Sequence, residues 1–343
     1  MLTIDGSMGE GGGQVLRSSL ALSLLSTAPF RITGIRAGRA RPGLMRQHLV
    51  AVNAAAEIGD AIVQGAEIGS TQLEFQPRAI RGGNYNFAIG GAGSTTLVFQ
   101  TILLPLLLGA GTPSTLTFEG GTHNPMAPPF EFIARTFLPL LARIGGQVHV
   151  ELTRHGFYPA GGGRWSARIE PSRRLERIEL LERGALLARS ARALVASLRP
   201  SVALRELDVL AGALAWERAA CRPQMVEDSC GPGNALLAFI ESEHVTEVVT
   251  GFGERGVSAE RIAAGVASEV ARYLTANVPV GEHLADQLLL PMALGAGGVF
   301  RTVRPSQHCL THLSLLKLFL GTSALVAQEG DDVWRIEVVG RHA

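Results

Sequence analysis

Cysteine is scarce in this 343-residue chain. The three residues Cys221, Cys230 and Cys309 are odd in number and fit no zinc-ligand spacing. That excludes a disulfide-stapled scaffold and predicts a reduced, cytoplasmic protein. Aromatic residues make up only 6% of the chain, which disfavours a nucleic-acid reader that works mainly by stacking bases. An excess of charge is also missing: 31 Lys and Arg against 30 Asp and Glu leave a net +1. A global basic field is excluded, and any grip on nucleic acid must rest on a local patch. The most apolar stretch, Thr101 to Ala110, is broken by Pro105 and Gly109. It is too short to span a bilayer and reads as a buried helix. The opening Met1–Gly6 lacks the basic-then-apolar pattern of a signal peptide.

What is present is an ordinary globular balance, 46% hydrophobic and 18% charged, in a chain long enough for two domains. The 41 glycines follow no collagen period, so they predict many turns and ligand-approach loops. Met45, Leu49, Val52 and Ala56 fall on one face of a helix, as do Ile262, Val266, Val270 and Tyr273, the latter behind a Ser258 N-cap with Glu260 in the first turn. Strands are expected at 30–33, 115–118, 148–151 and 335–339, giving an α/β or α+β class. Three times a glycine-bearing turn leads into an apolar helix: Gly9–Gly13 before Gln14–Leu25, Gly90–Gly93 before Ser94–Leu108, and Gly281 before Leu284–Leu294. This reads as a repeated β-α-β-α-β-β module. The Arg-, Glu- and Ala-rich stretch after Leu181 breaks the rhythm. The expected organisation is a large domain of 1–180 and 278–343 with a smaller α/β domain, 181–277, inserted.

Two segments read as anion sites. Gly6-Ser7-Met8-Gly9-Glu10-Gly11-Gly12-Gly13-Gln14 follows a strand and opens a helix, where bare backbone and free N–H groups can meet a phosphate. It is neither a P-loop nor a dinucleotide fingerprint, and spacing alone leaves a plain tight turn equally open. The carboxylate of Glu10 amid glycines favours a divalent metal beside a nucleotide. Arg36, Arg39, Arg41 and Arg46 cluster in a loop fixed by Gly38, Pro42 and Gly43, without acids nearby in sequence. Forked guanidinium donors there suit phosphates better than a merely solvated face. The loops Glu119–Phe130 and Arg154–Gly163 read as rigid turns, the second at best facing a substrate. Asp286 and Gln287 lie in the first turns of a helix that favours acids anyway.

Ser306 reads as an N-cap that puts His308 in the first turn of a helix. The positive dipole end there favours a neutral, nucleophilic imidazole and can bind the phosphate it attacks. Two other readings stay open: an ordinary packed histidine, or a metal pair with His312 one turn on.

Over nearly its whole length the chain resembles the RNA 3′-terminal phosphate cyclase family. The matching strings are Gly9–Gln14 with Arg17, Arg36–Leu49, Gly91–Gln100, Asn124–Pro129, His155–Gly163, Gly231–Asn234, Val257–Glu260, Leu284–Ala293 and Pro305–His308. The resemblance implies three β-α-β-α-β-β modules with an inserted smaller domain. It implies a nucleotidyl-transferring ligase, in which His308 takes AMP from ATP and passes it to an RNA 3′-phosphate. The resulting RNA-(3′)pp(5′)A then closes to a 2′,3′-cyclic phosphate. It assigns Glu10 to metal or nucleotide. Gln100, Pro128, Phe132, His283, Leu284, Ala285, Asp286 and Gln287 fall to the ATP site. Arg17, Arg39, Arg41 and Gln47 are assigned to phosphates of ATP or RNA. Mg²⁺ or Mn²⁺ is the implied ion. The chain departs from the family at His283, where tyrosine is usual, and at His123, where an acid is common. Two rivals remain at this point: a non-catalytic cyclase-like RNA-processing factor, and a metal hydrolase built on His308, His312 and Asp286.

Overall fold

A computed structural model describes residues 1–9 and 11–341. Glu10 therefore lies outside the described residues. Strand β1 (Leu2–Asp5) leads through the glycine turn into α1 (Gly13–Ser26), followed by β2 (Phe30–Thr33), α2 (Arg46–Ile58), β3 (Ile62–Gln64) and β4 (Leu73–Gln76). Then come β5 (Asn84–Ala88), α3 (Thr95–Gly109), β6 (Ser114–Gly120) and α4 (Phe130–Phe132). A π turn, Ile133–Phe137, joins α4 to α5 (Leu138–Arg143), ahead of β7 (Val148–Arg154) and β8 (Gly163–Ile169). After β9 (Ile178–Leu180) the chain makes β10 (Leu186–Ala196), α6 (Ser201–Leu214), β11 (Cys221–Met225), β12 (Gly233–Ser242), β13 (Thr246–Phe252) and α7 (Ala259–Ala276). It ends with α8 (Glu282–Leu294), β14 (Gly298–Thr302), α9 (Gln307–Leu320), β15 (Ala324–Gly330) and β16 (Val333–Val338).

The class is mixed α/β. Among the described residues the strands form four four-stranded sheets, ordered β1-β2-β4-β3, β5-β6-β8-β7, β9-β14-β16-β15 and β11-β10-β12-β13. In the first three, the first two strands run parallel and the later pairings are antiparallel. A parallel neighbour requires a crossover, and α1, α3 and α8 lie in those three connections.

Local chemistry starts the helices where the sequence predicts. Ser94, Ser258 and Ser306 each accept an N–H from the third residue on, at 3.2–3.3 Å, caps worth about 1 kcal/mol apiece. The α2 stripe differs from expectation. Its buried face is His48, Ala51, Val52, Ala54, Ala55 and Ile58, while Leu49 and Ala56 are half-buried and Met45 is the cap. Small alanines let α2 approach α1 and α3 closely, so the helix turns that face inward.

One continuous core joins α1, α3, α8 and α9 to the first three sheets. The fourth sheet is shared by period two: Ala235, Leu237 and Phe239 of β12 join the main core, while Leu236, Ala238 and Ile240 pack with α6 and α7 in a second one. The consequence for function is convergence. Helices α1, α8 and α9, from opposite ends of the chain, bring their residues into one cleft.

Candidate active site

The glycine turn delivers α1 with Gln14 in its first turn, and α9 delivers His308 as its second residue. His308 Nδ1 lies 2.6 Å from Gln14 Oε1. The other end of the same amide, Gln14 Nε2, donates to Asp286 Oδ1 at 2.6 Å. A carboxylate only accepts, so the amide orientation is fixed: Oε1 faces the imidazole, and Nδ1 carries the ring proton. The ring's lone pair then belongs to Nε2.

Asp286 is the hub. Its Oδ1 also accepts from His312 Nδ1 at 2.9 Å, and its Oδ2 from Gln287 Nε2 at 3.2 Å. Burial pushes the Asp286 carboxyl up, but the His312 hydrogen bond and charge, with His308 and Gln14, outweigh it and hold it below the usual carboxylate value. Gln287 Oε1 in turn accepts from Gln100 Nε2, tying α8 to α3. Arg17 follows Gln14 by three residues on the same face of α1. Burial pulls its guanidinium down to about 10, with Asp286 opposing, so it remains a cation at neutral pH. Gln14, Arg17, Gln100, Asp286, Gln287 and His312 line one open cleft.

The arginine loop folds over the glycine turn. A Cβ on Gly12 would meet Arg39 Nη2 at 2.9 Å, and one on Gly13 would meet His48 Nε2 at 2.4 Å and Arg17 Nη1 at 2.8 Å. At Gly13 the buried His48 ring leaves room for glycine alone, while at Gly12 the flexible Arg39 side chain could give way. His48 Nδ1 accepts the Met45 N–H at 3.3 Å. Burial, then Arg17 and Arg36, pull its imidazolium down to about 3, so it adds no positive charge there.

The structure sorts the predicted residues. It brings Arg17, Gln100, Asp286, Gln287 and, through Gln14, His308 together, with Arg39 against the glycine turn. Gln47 is half-buried and accepts the Ser94 N–H at 3.0 Å, holding the start of α3. Pro128 gives its carbonyl to Thr96 at 2.8 Å in the same turn. Phe132, Leu284 and Ala285 belong to the main core, while His283 and Arg41 are exposed. Arg36 is turned inward on its own loop, where Nη1 donates to the carbonyls of Arg41 and Gly43, at 2.7 and 2.9 Å. Arg46 donates to Gly90 O at 3.0 Å. Sequence reasoning missed the roles of Gln14 and His312. For Gln14 a signal existed, since it stands one turn before Arg17 at the end of the glycine motif. Among the described residues, His308, His312 and Asp286 do not form a three-ligand metal group.

The arrangement offers a fixed imidazole nucleophile, a buried cation and a helix start without a side-chain cap, a set suited to attack on a phosphorus centre. Relatives point the same way. The chain is 52% identical to the RNA 3′-terminal phosphate cyclase of Ralstonia nicotianae, over 98% of this chain and 97% of that protein. It is 49% identical to the protein of that name from Koribacter versatilis, over 96% and 92%. With the one from Ectopseudomonas mendocina it shares 47%, over 98% of each. Residues 8–326 match the family described as RNA 3′-terminal phosphate cyclase, and with the cleft between α1, α8 and α9 in place, the chain belongs to that family.

Proposed function

We propose that the protein is an ATP-dependent RNA 3′-terminal phosphate cyclase in which His308 carries AMP. The observation that supports this most is the Gln14–His308 contact, which assigns the ring proton to Nδ1 and the attacking pair to Nε2. His308 Nε2 forms a bond to the α-phosphorus of ATP as the bond to the bridging oxygen breaks and pyrophosphate leaves. The Nδ1 proton stays on the ring, held by Gln14, and Asp286 behind the amide favours the positive ring that results. An RNA 3′-phosphate oxygen then takes AMP from His308 and gives RNA-(3′)pp(5′)A. The vicinal 2′-hydroxyl attacks the RNA phosphorus, loses its proton and expels AMP, leaving the 2′,3′-cyclic phosphate. Activation is needed because a phosphate monoester dianion loses oxide very poorly, and the 2′-hydroxyl has the advantage of intramolecular attack.

Arg17 and Arg39 beside the glycine turn serve the phosphates, with Arg41 reaching RNA from the surface and Gln47 acting through the start of α3. Gln100, Asp286 and Gln287 line the ATP side. Pro128, Phe132, His283, Leu284 and Ala285 are assigned to the nucleotide as well. Phe132, Leu284 and Ala285 act there as packed walls, because their side chains are in the core. Mg²⁺ or Mn²⁺ neutralises triphosphate charge when bound. Glu10 is assigned to hold the ion together with the phosphates. The three sheets of common strand order are read as copies of one β-α-β-α-β-β module, residues 1–180 and 278–343, with 181–277 inserted. No helix among the described residues is long and apolar enough to cross a membrane, and the proposed location is cytoplasmic.

The test is ATP with a 3′-phosphorylated oligoribonucleotide. The product should resist phosphatase, and a terminal 2′-deoxy ribose should accept AMP without cyclising. Conversion of a 3′-hydroxyl end would sink the reading. Protein that never labels with α-labelled ATP would leave the non-catalytic RNA-processing role.

A further inference from the structure

Away from the cleft, His123, Glu131 and His155 are the one group among the described residues that brings three metal-ligating side chains together, their donor atoms all within 4.8 Å of one another. They come from three segments: the loop after β6, the first turn of α4, and the residue just past β7. None of them lines the cleft, and the proposed reaction uses none of them.

The surroundings orient the set. Thr122 Oγ1 accepts the Gly156 N–H at 2.9 Å and gives its own proton to His123 Nδ1 at 2.8 Å, because Gly156 O, 3.4 Å away, already accepts the N–H groups of Thr122 and His123. The Thr122 hydroxyl fixes the orientation of the His123 ring from outside, as an outer-shell partner does, and the ring proton sits on Nε2. His123 Nε2 and Glu131 Oε2 lie 2.6 Å apart with that proton between them, the place a metal ion takes on binding. Two acceptors that close need a proton or a cation between them. His155 stacks parallel to buried Phe157 and lies 5.2 Å, ring to ring, from His123.

We infer that His123, Glu131 and His155 form a second metal site, which takes a divalent transition ion of the zinc class. Two imidazoles and one carboxylate suit such an ion better than Mg²⁺, which prefers oxygen. Bonds of about 2.0–2.2 Å in a tetrahedron place donors about 3.3 Å apart, so the His123–Glu131 pair opens by less than about 1 Å. Water completes the fourth position. The ion clamps the loop after β6 to the loop after β7, and through Asn124, which donates to Ala92 O, to the turn before α3.

The test uses the full chain, stripped with a chelator and free of nucleotide, titrated with Zn²⁺ against a chromophoric competitor. One Zn²⁺ per chain is expected, and Co²⁺ should give the visible absorption of a four-coordinate site. Because His123 is fully buried, its replacement tests folding as much as binding. Glu131→Gln and His155→Gln carry the test, with circular dichroism reporting the fold. Each should weaken Zn²⁺ at least tenfold and erase the Co²⁺ bands, while Glu10→Gln keeps both. No Zn²⁺ bound by the wild type in the titration, wild-type affinity in either folded variant, or loss of the ion in Glu10→Gln would overturn the site.

Discussion

One side-chain amide, Gln14, holds His308 Nδ1 at 2.6 Å with its oxygen and Asp286 Oδ1 at 2.6 Å with its nitrogen. The imidazole is thereby oriented by a carboxylate it does not touch, and its tautomer depends on which way an amide is turned.

Gln14→Ala should leave the fold intact and slow AMP transfer to the protein. Losing a hydrogen bond coupled to a charged partner costs about 1.5–3 kcal/mol, or about 10- to 150-fold in rate. Single-turnover labelling with α-labelled ATP measures this. Gln14→Glu should be at least as slow, since it sets a second carboxylate beside Asp286. A wild-type rate in Gln14→Ala would remove the amide from the mechanism.

Labelling itself should reside on His308. The adduct is a phosphoramidate, labile in acid and stable in alkali, and His308→Ala should abolish it. His312→Ala should slow labelling without ending it, because His312 supports the Asp286 carboxylate and is not the group that takes AMP. Undiminished labelling of His308→Ala would falsify the assignment.

The arginine loop should divide by role. Arg41→Ala removes an exposed charge and should reduce the slope of log RNA affinity against log salt by about 0.7, with little change in stability. Arg36→Ala removes the donor to Arg41 O and Gly43 O and should cost about 1–2 kcal/mol of stability. Salt titrations of RNA binding, alongside urea melts, separate the two. Equal behaviour of the variants would contradict the division.

Glu247 should give the protein an alkaline weakness. It accepts the Gly281 N–H at 3.0 Å, at the start of α8, and burial, with Glu269 adding, pushes its carboxyl up from 4.5 to about 8. Between those values the native state holds a proton that the unfolded chain has lost, so stability falls with rising pH. The contribution is complete below about 4.5 and gone once pH passes about 8. Glu247→Gln keeps the acceptor and never ionises. It should match the wild type at about pH 5 and exceed it by at least about 1 kcal/mol at about pH 8.5. Denaturation at the two pH values decides; an unchanged pH slope in the variant would clear Glu247.

The sequence by itself determined what short-range physics controls. Ser258 and Ser306 cap helices because their hydroxyls reach an N–H three residues on, β2 falls at Phe30–Thr33, and the apolar stretch from Thr101 is buried within α3 as far as Leu107. The ordered motifs, from Gly9–Gln14 to Pro305–His308, carried the family and named His308, Arg17, Gln100, Asp286 and Gln287. Tertiary structure alone decided how these meet. Gln14 lies 294 positions from His308 and 272 from Asp286, and no spacing rule spans such a gap; the packing of α1, α8 and α9 on one core closes it. The same holds for Arg36, whose charge suggests a ligand contact until the fold of its loop turns the guanidinium onto two carbonyls. His123, Glu131 and His155 look like unrelated loop residues until the pairing of β6 with β8 and of β8 with β7 sets their loops side by side, because a sheet decides neighbours by register and not by distance along the chain.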